Sequence, residues 1–341
     1  MSSSIPSAMR TVRQRDILAP ELILLDTPVP KLTKASEEVL VKVAATALCS
    51  GELEWASRFP DIFPQDKEPV PGQDIAGTVV VSGPKSAFRA GDEVFCRIDA
   101  SRPGGMREYT VALESELALK PASMDWTSAA ATPLSALTAW QALFYHGSLE
   151  KDALSGDRQA RARNATKKIL ITAAGGSVGG FAVQFSVCSG AKMIVGVCGT
   201  DKVEQVLGLG ATTVVDYKKQ NLDKWVDENP KDREVDIIID CVGGDTMAGL
   251  WRAIKDGGDF ISISDVPDRL RPEGNMKELK RSEYFIVNSL GSQLTEIAQL
   301  LDQGLVKPLV DSVYAFEDYQ QAFLKLGRGS AKGKIVIKVA I

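Results

Sequence analysis

The spacing of hydrophobic and polar positions changes in character along the chain. Before Pro133, short alternating or apolar runs at 39–43, 76–81 and 93–97 are separated by turn signals rich in Gly and Pro. Such runs are typical of an antiparallel β domain with small helices. A further alternating run at 334–339 ends the chain. We therefore expect the C-terminal segment to return to this first domain.

From residue 168 onward, apolar strands alternate with helices, which predicts a doubly wound parallel sheet. A polar, Arg-containing segment at 147–168 precedes it and indicates a surface excursion. A last helix at 294–303 leads out of this domain. The predicted strands are 169–172, 193–197, 213–215, 235–240, 260–263 and 284–287, and the predicted helices between them are 178–189, 202–209, 222–228 and 247–254.

Composition and charge narrow the classes of function. The chain has 341 residues, and 40 basic against 44 acidic side chains give a formal net charge of −4. That balance offers no bulk attraction to nucleic acid or to an acidic membrane surface. The apolar runs are strand-sized, and five cysteines without C-x-x-C spacing argue against a disulfide framework. We expect a reducing, cytoplasmic location and, with His146 as the single histidine, no multi-histidine metal site.

The strongest chemical signal is a glycine-rich loop between a predicted strand and a predicted helix. Its A-x-G-x-x-G spacing is close to the dinucleotide-binding fingerprint. Glycines let the backbone approach a pyrophosphate, and the helix N-terminus offers N–H groups to an anion. The loop is formed by Ala174, Gly175, Gly176, Ser177, Val178 and Gly179.

The residues after the second strand of the α/β domain bear on the choice between NAD and NADP. No acid stands directly at the strand end, where Cys198, Gly199 and Thr200 are followed by Asp201 and Lys202. Gly199 and Thr200 leave room for a 2′-phosphate, and Lys202 supplies a positive charge, which favours NADPH. Two alternatives stay open: Asp201 bonding the ribose of NADH, and Lys202 as a solvated lysine.

Several further motifs occur in order and together resemble the medium-chain dehydrogenase/reductases, specifically their zinc-free quinone-oxidoreductase-like branch. The resemblance covers residues 20–341 and is strongest to fungal members, several of which are enoyl reductases. The motifs besides the glycine-rich loop are Pro71-Gly-Gln-Asp-Ile-Ala-Gly77, Gly91-Asp-Glu-Val94, Pro133-Leu-Ser-Ala-Leu-Thr-Ala-Trp140, Leu209-Gly-Ala211, Val215-Asp-Tyr217, Asp240-Cys-Val-Gly-Gly244 and Gly333-Lys-Ile-Val-Ile337.

The resemblance implies an α/β protein with a GroES-like β-rich catalytic domain and a Rossmann domain. We place the first at 1–134 and 305–341 and the second at 135–304. It also implies a nicotinamide entering between the domains, a small-molecule substrate and, in many members, a homodimer.

Metal chemistry is not expected at the site that the resemblance indicates. Zinc members have a Cys, a His in a G-H-E motif and a later Cys or acid. Here Cys49 stands near the first position, but Gln73 replaces the His, and a neutral amide is a poor zinc ligand. The chain also departs from its branch, because Cys49-Ser-Gly-Glu52 stands where many members have N-P-x-D.

The resemblance also indicates catalytic and cofactor-binding side chains. Oxyanion donors are expected at Ser135 and Thr138, although Thr138 is open to a purely helical role, and the proton donor is Ser50, Glu52 or water. We expect His146 to be structural. For Lys334, the alternative is a position beside an edge strand with no contact to the cofactor. Besides the glycine-rich loop and the 198–202 segment, the cofactor-binding candidates are Cys49, Tyr217, Cys241, Val242, Gly243, Ile263, Phe285, Ile286, Val287 and Lys334.

Three functions are compatible with these residues. The first is an NADPH-dependent reductase of an activated C=C bond in an α,β-unsaturated carbonyl compound. The second is an NADPH quinone reductase, which the sequence does not separate from the first because both acceptors are planar and electron-poor. The third is an NADPH-binding protein without turnover, suggested by the missing Asn near Cys49.

Overall fold

The computed structural model describes residues 5–33, 37–64 and 66–339 of the chain. These residues form two compact units. Unit 1 comprises the described residues within 1–137, 288–304 and 308–341, and unit 2 comprises those within 138–287 and 305–307. The division falls within one helix, Pro133–Gln141.

Unit 1 is the predicted β domain. Its described strands are β1 Ala8–Gln14, β2 Leu22–Pro28, β3 Glu38–Ala47, β4 Asp74–Ser82, β5 Glu93–Arg97, β6 Tyr109–Leu113, β7 Ala118–Leu119, β14 Val310–Ala315 and β15 Lys334–Lys338. Seven of them form one sheet in the order β14-β15-β3-β4-β5-β7, with β6 paired to β3, and β1 and β2 form a separate antiparallel pair. The strand β15 pairs with β3, so this last strand does return to the first domain.

Short helices accompany the strands of unit 1. A 3-10 helix at Glu52–Glu54 follows β3 and leads directly into the first α-helix. The α-helices are α1 Trp55–Arg58, α2 Trp126–Ala130, α3 Pro133–Gln141, which continues into unit 2, α10 Gly291–Asp302 and α11 Tyr319–Gly327.

Unit 2 is the predicted parallel α/β domain. Its six strands are all parallel and have the order β10-β9-β8-β11-β12-β13, which is the doubly wound order with a switch between β8 and β11. The strands are β8 Lys168–Ile171, β9 Met193–Cys198, β10 Thr213–Asp216, β11 Val235–Asp240, β12 Ile254–Ser262 and β13 Arg281–Tyr284. The helices are α4 Arg158–Asn164, α5 Ser177–Cys188, α6 Val203–Gly208, α7 Leu222–Asp227, α8 Pro230–Arg233 and α9 Thr246–Ala253.

The central strands of unit 2 form where the sequence is apolar on both faces. In β11, Ile237, Ile238 and Ile239 are completely buried, as expected for a strand covered by helices on both sides. The predicted surface excursion at 147–168 contains a 3-10 helix, Lys151–Ser155, and α4, whose arginines are exposed.

Several predicted boundaries differ from the structure. Residues 135–137 belong to unit 1 and residues 305–307 to unit 2, and the strand predicted at 260–263 is Ile254–Ser262. The segment 288–304, which we assigned to the Rossmann domain, belongs to unit 1. Its helix α10 buries Leu294, Ile297 and Leu301 on one face and packs beside β7. The last strand, predicted at 284–287, is Arg281–Tyr284 in the structure. Its pairing with β12 ends where Tyr284 lies beside Ser262, which is the last residue of β12.

None of the helices in the described ranges is both long and apolar enough to cross a membrane.

Candidate active site

The glycine-rich loop connects β8 to the start of α5. Ala173 has a positive φ of 46°, and Gly176 is the extended residue that caps α5. A Cβ on Gly179 would lie 2.4 Å from the Ala173 carbonyl oxygen, so only glycine permits this close approach of helix and loop. The first N–H groups of an α-helix have no partner within the helix. The loop and α5 therefore present N–H groups of the kind that bind an anionic pyrophosphate, and the binding of a pyrophosphate there stays a prediction.

Basic and hydroxyl side chains gather beside this loop at the end of β9. A Cβ on Gly175 would lie 2.7 Å from Lys202 Cδ, which places the Lys202 side chain over the loop. A Cβ on Gly199 would lie 3.3 Å from Tyr217 Oη and 3.4 Å from both Asp201 Oδ1 and Lys218 Cε. The predicted Tyr217 therefore lies beside Gly199 together with Asp201, while Lys202, whose backbone N–H donates to the Gly199 carbonyl at 3.0 Å, extends its side chain over Gly175.

The sequence prediction missed Lys218 in this group. Its position directly after Tyr217, at the end of β10, was the available signal, because neighbouring parallel strands end at the same edge of the sheet. The hydroxyl of Thr200 donates to Asp216 Oδ2 at 2.7 Å, and the Lys218 backbone N–H donates to Asp216 Oδ1 at 3.1 Å. The Asp216 carboxylate thus ties the ends of β9 and β10 together.

A buried carboxylate organises the loop after β11. Asp240 is completely buried and accepts hydrogen bonds from Thr172 Oγ1 at 2.8 Å and Ser262 Oγ at 2.9 Å. It also accepts the backbone N–H groups of Val242 at 3.2 Å and Gly243 at 3.0 Å. The predicted loop 241–243 is therefore held by three polar residues at the carboxyl ends of β8, β11 and β12. Asp240 belongs to the motif that the sequence analysis names, whereas the sequence analysis missed Thr172 and Ser262.

The remaining predicted residues of unit 2 follow β12 and β13. The backbone N–H of Ile263 donates to the Asp240 carbonyl at 3.0 Å, and that of Phe285 donates to the Ser262 carbonyl at 3.2 Å. Phe285 is buried, whereas Ile286 is exposed and Val287 is half-buried.

His146 lies at the end of the π-helix Ala142–His146 and stacks on the Phe285 ring with a centroid distance of 4.1 Å. Its Nδ1 lies 2.9 Å from Glu283 Oε2. These contacts agree with a structural role for the single histidine.

In unit 1, a buried ion pair lies beside Cys49. The Lys334 ammonium is 2.8 Å from Asp74 Oδ2, 3.1 Å from the Leu48 carbonyl oxygen and 3.1 Å from Cys49 Sγ. Burial opposes the ammonium charge, but Asp74 and Cys49 outweigh it, so the pKa of Lys334 is raised. An ammonium has three N–H donors, and all three have acceptors here. The contact of Lys334 with the cofactor stays a prediction.

Glu52 is buried next to this pair. Its Oε1 accepts the Cys49 backbone N–H at 3.0 Å, and its Oε2 accepts the Gly72 backbone N–H at 2.8 Å. Burial raises the pKa of Glu52 to about 7, against the effect of these two hydrogen bonds. Ser50, the other predicted proton donor in this segment, is exposed.

The side chains at this position do not fit a zinc ion. The Cys49 sulfur lies 3.1 Å from the Lys334 ammonium, so a cationic side chain stands beside the one thiol of this position. The side-chain amide nitrogen of Gln73 donates to the backbone carbonyls of Asp99 at 3.2 Å and Ile98 at 3.0 Å. In the described parts of the chain, no cluster of three or more His, Cys, Asp and Glu side chains is placed to hold a metal.

The two predicted oxyanion donors both lie on α3. Ser135 and Thr138 are buried, at 1% and 3% exposure. The helix is fixed near its start, where the Leu134 backbone N–H donates to Asp74 Oδ1 at 2.7 Å. Asp74 therefore connects α3 to Lys334.

Comparisons with known proteins agree with this architecture. Residues 35–122 match the family described as the alcohol dehydrogenase GroES-like domain, and residues 209–337 match the zinc-binding dehydrogenase family. A solved NAD-dependent alcohol dehydrogenase is 26% identical, with a TM-score of 0.80 over 97% of this chain and 100% of its own.

Two curated relatives span most of the chain. One, from Arthroderma benhamiae, is named a probable zinc-binding oxidoreductase, mitochondrial; it is 42% identical over 99% of this chain and 98% of its own length. The other, from Solanum lycopersicum, is named 2-methylene-furan-3-one reductase; it is 30% identical over 98% of this chain and 80% of its own length.

Proposed function

Because the chain belongs to the medium-chain dehydrogenase/reductase superfamily, as an NAD(P)H-dependent oxidoreductase of the quinone-oxidoreductase type, we propose that it reduces an activated C=C bond with NADPH and without zinc. The preferred acceptor is an α,β-unsaturated carbonyl compound. The observation that carries this proposal is the pair of sites described above. Unit 2 has a loop built for a pyrophosphate, and unit 1 has an ammonium bonded to Cys49 and Asp74 in place of a metal-binding set.

The nucleotide would be held by residues of unit 2. The glycine-rich loop and the start of α5 would bind the pyrophosphate, and the 241–243 loop would lie along the nicotinamide ribose. When bound, NADPH supplies the hydride. Tyr217 and Lys218 lie beside Gly199 and Lys202 lies over Gly175, so a 2′-phosphate placed between them would meet two ammonium groups, which supports NADPH over NADH. Asp201 at the same place supports the opposite preference, so the comparison of the two cofactors is decisive.

A reduction of this kind does not require a Lewis acid. Negative charge develops on the carbonyl oxygen as the enolate forms, and hydrogen-bond donors stabilise it. Ser135 and Thr138 are our candidates for these donors. The name of the tomato relative, 2-methylene-furan-3-one reductase, also describes an activated C=C acceptor and supports this substrate class. Family membership favours this enzymatic function over the non-catalytic alternative.

The proposal is tested with purified protein and a panel of enones and simple quinones. We expect a higher kcat/KM for enones, a higher kcat/KM with NADPH than with NADH, and deuterium from labelled NADPH at the β-carbon of the product. Activity should survive dialysis against a zinc chelator. A preference for quinones would select the second candidate function, and loss of activity with zinc removal would contradict the zinc-independent mechanism. The cytoplasmic location and the homodimer stay predictions.

A further inference from the structure

The contact between Lys334 and Cys49 brings an amine nitrogen to a thiol sulfur inside unit 1. Lys334 Nζ lies 3.1 Å from Cys49 Sγ and 2.8 Å from Asp74 Oδ2, and Cys49 Sγ lies 3.9 Å from the same carboxylate oxygen. At this separation, one oxygen atom bonded to both nitrogen and sulfur joins them after a small movement of the lysine side chain. The three groups therefore have the arrangement that an oxidative cross-link requires.

The backbone around the pair keeps the two side chains together. Lys334 is the first residue of β15, and the pairing of β15 with β3 includes Ala47, close before Cys49. The Leu48 backbone N–H donates to the Ile335 carbonyl at 2.9 Å, and the Leu48 carbonyl accepts the Lys334 ammonium at 3.1 Å. Separating the nitrogen from the sulfur therefore requires the breaking of hydrogen bonds between the two segments.

Burial decides which oxidant reaches the sulfur and how fast. Cys49 and Lys334 are 4% and 5% exposed, and Asp74 is completely buried. Hydrogen peroxide is little larger than water, so local opening of the fold admits it where larger reagents are excluded. Burial raises the pKa of the Cys49 thiol to about 12, although the charge of Lys334 opposes this. Oxidation should therefore be slower here than at an exposed thiol.

We propose that Cys49 and Lys334 form a reversible N–O–S cross-link when the protein meets hydrogen peroxide. The inference does not depend on the proposed function. One peroxide oxidises the thiol to a sulfenic acid and leaves as one water. Lys334 passes one ammonium proton to Asp74. A second peroxide takes the sulfenic hydrogen and one amine hydrogen as the N–O bond forms, and leaves as two waters. The thiol and the amine together lose four electrons and gain one oxygen atom.

Asp74 makes this chemistry possible because the cross-link converts a cation into a neutral nitrogen. A buried carboxylate without its cation is strongly unfavourable. Burial also raises the pKa of Asp74, which favours its protonated form once the positive charge is lost. The proton transfer therefore leaves both groups neutral, and the cross-link joins β15 covalently to the segment that follows β3.

Mass spectrometry tests the cross-link directly on the full chain. Purified wild type is incubated with hydrogen peroxide, denatured, alkylated and digested with trypsin. Because trypsin does not cleave after a modified lysine, the cross-link joins peptides 43–58 and 333–338 in one species. Its mass should exceed the sum of the two peptides by one oxygen atom less two hydrogen atoms. Dithiothreitol should open the link, because four thiol groups reduce it to thiol, amine and water.

Two variants each remove one partner, and two matched controls keep both. Cys49→Ser and Lys334→Arg should not form the cross-link, and arginine keeps a cation beside Asp74 so that the fold is preserved. Near-ultraviolet circular dichroism checks that both variants fold. The controls are Lys338→Met, an exposed lysine of β15, and Cys188→Ser, a partly exposed cysteine of unit 2. Both controls should form the cross-link at the wild-type rate.

Cys188 also reports that the oxidant has acted, so the peroxide concentration is raised until the Cys188 thiol of the wild type is oxidised. Absence of the cross-linked species at that point overturns the proposal. So does oxidation of Cys49 to sulfinic acid while trypsin still cleaves after Lys334, or the same species from Cys49→Ser or Lys334→Arg. A link that lacks the oxygen atom or resists dithiothreitol contradicts the N–O–S chemistry.

Discussion

Lys334 and Cys49 are 285 positions apart in the chain, yet the Lys334 ammonium lies 3.1 Å from the Cys49 sulfur. The contact exists because β15, the last strand, pairs with β3, which ends just before Cys49. Asp74, at the start of β4, completes the arrangement with its 2.8 Å ion pair. The C-terminal strand therefore places a positive charge inside the domain that the first strands build.

Removing one partner of this buried pair should destabilise the protein strongly. Lys334→Met leaves the Asp74 carboxylate buried without its cation, which costs about 3–5 kcal/mol of the free energy of unfolding. The double variant Lys334→Met, Asp74→Leu should lose less than the sum of the two single variants. Urea unfolding measures each value. The control is Lys338→Met, an exposed lysine on the same strand, which should change stability by less than about 0.5 kcal/mol. Equal effects at both lysines would contradict the role of the ion pair.

Glu52 should make stability depend on pH. Its pKa is about 7 in the folded protein against a usual 4.5, so the folded state binds this proton more tightly. The resulting stabilisation is complete below pH 4.5 and is lost as the pH rises through 7, a change of about 3 kcal/mol. The difference in unfolding free energy between wild type and Glu52→Gln, measured from pH 4.5 to 8, isolates this contribution. A difference that stays constant with pH would show that Glu52 titrates normally.

The basic side chains Lys202 and Lys218, which follow β9 and β10, should favour the binding of NADPH over NADH. Hydrogen bonds to charged groups contribute about 1.5–3 kcal/mol each, so Lys202→Ala should weaken NADPH binding about ten- to a hundred-fold. Lys218→Ala should act in the same direction, and neither variant should change NADH binding. The control is Lys219→Ala, whose side chain is 70% exposed and pairs with Asp216. Calorimetric titration with both cofactors measures the effects. Tighter binding of NADH than of NADPH by the wild type would instead indicate that Asp201 accepts hydrogen bonds from the ribose hydroxyls.

The close approach at Gly179 should not tolerate a side chain. Gly179→Ala places a methyl group 2.4 Å from a backbone oxygen, so α5 or the loop must shift. We expect a loss of about 1–3 kcal/mol in stability and weaker NADPH binding. Gly208 in α6 is the matched control, because a Cβ there meets no atom within 4 Å. Gly208→Ala should raise stability by up to about 1 kcal/mol. Thermal unfolding and NADPH titration distinguish the two variants, and similar behaviour of both would rule out the steric argument.

The sequence by itself determined the order of the elements and the position of the glycine-rich loop. Both depend on local signals: the runs of Ile and Val that form β8 and β11, and the glycine spacing between β8 and α5. Local patterns also indicated that the last strand returns to the first domain. They failed at 288–304, because an amphipathic helix shows that it has a buried face but not which domain covers that face.

Only the tertiary structure decided which distant polar groups meet. Asp240 accepts hydrogen bonds from Thr172 and Ser262 because neighbouring parallel strands end at the same edge of the sheet. Which strands are neighbours depends on the strand order, and no single segment of the sequence predicts that order. Lys334 likewise pairs with Asp74 because a buried charge requires a partner, and the pairing of β15 with β3 places the two side chains together. Propensity and hydrophobic periodicity act over a few residues, whereas burial and charge pairing depend on the whole fold.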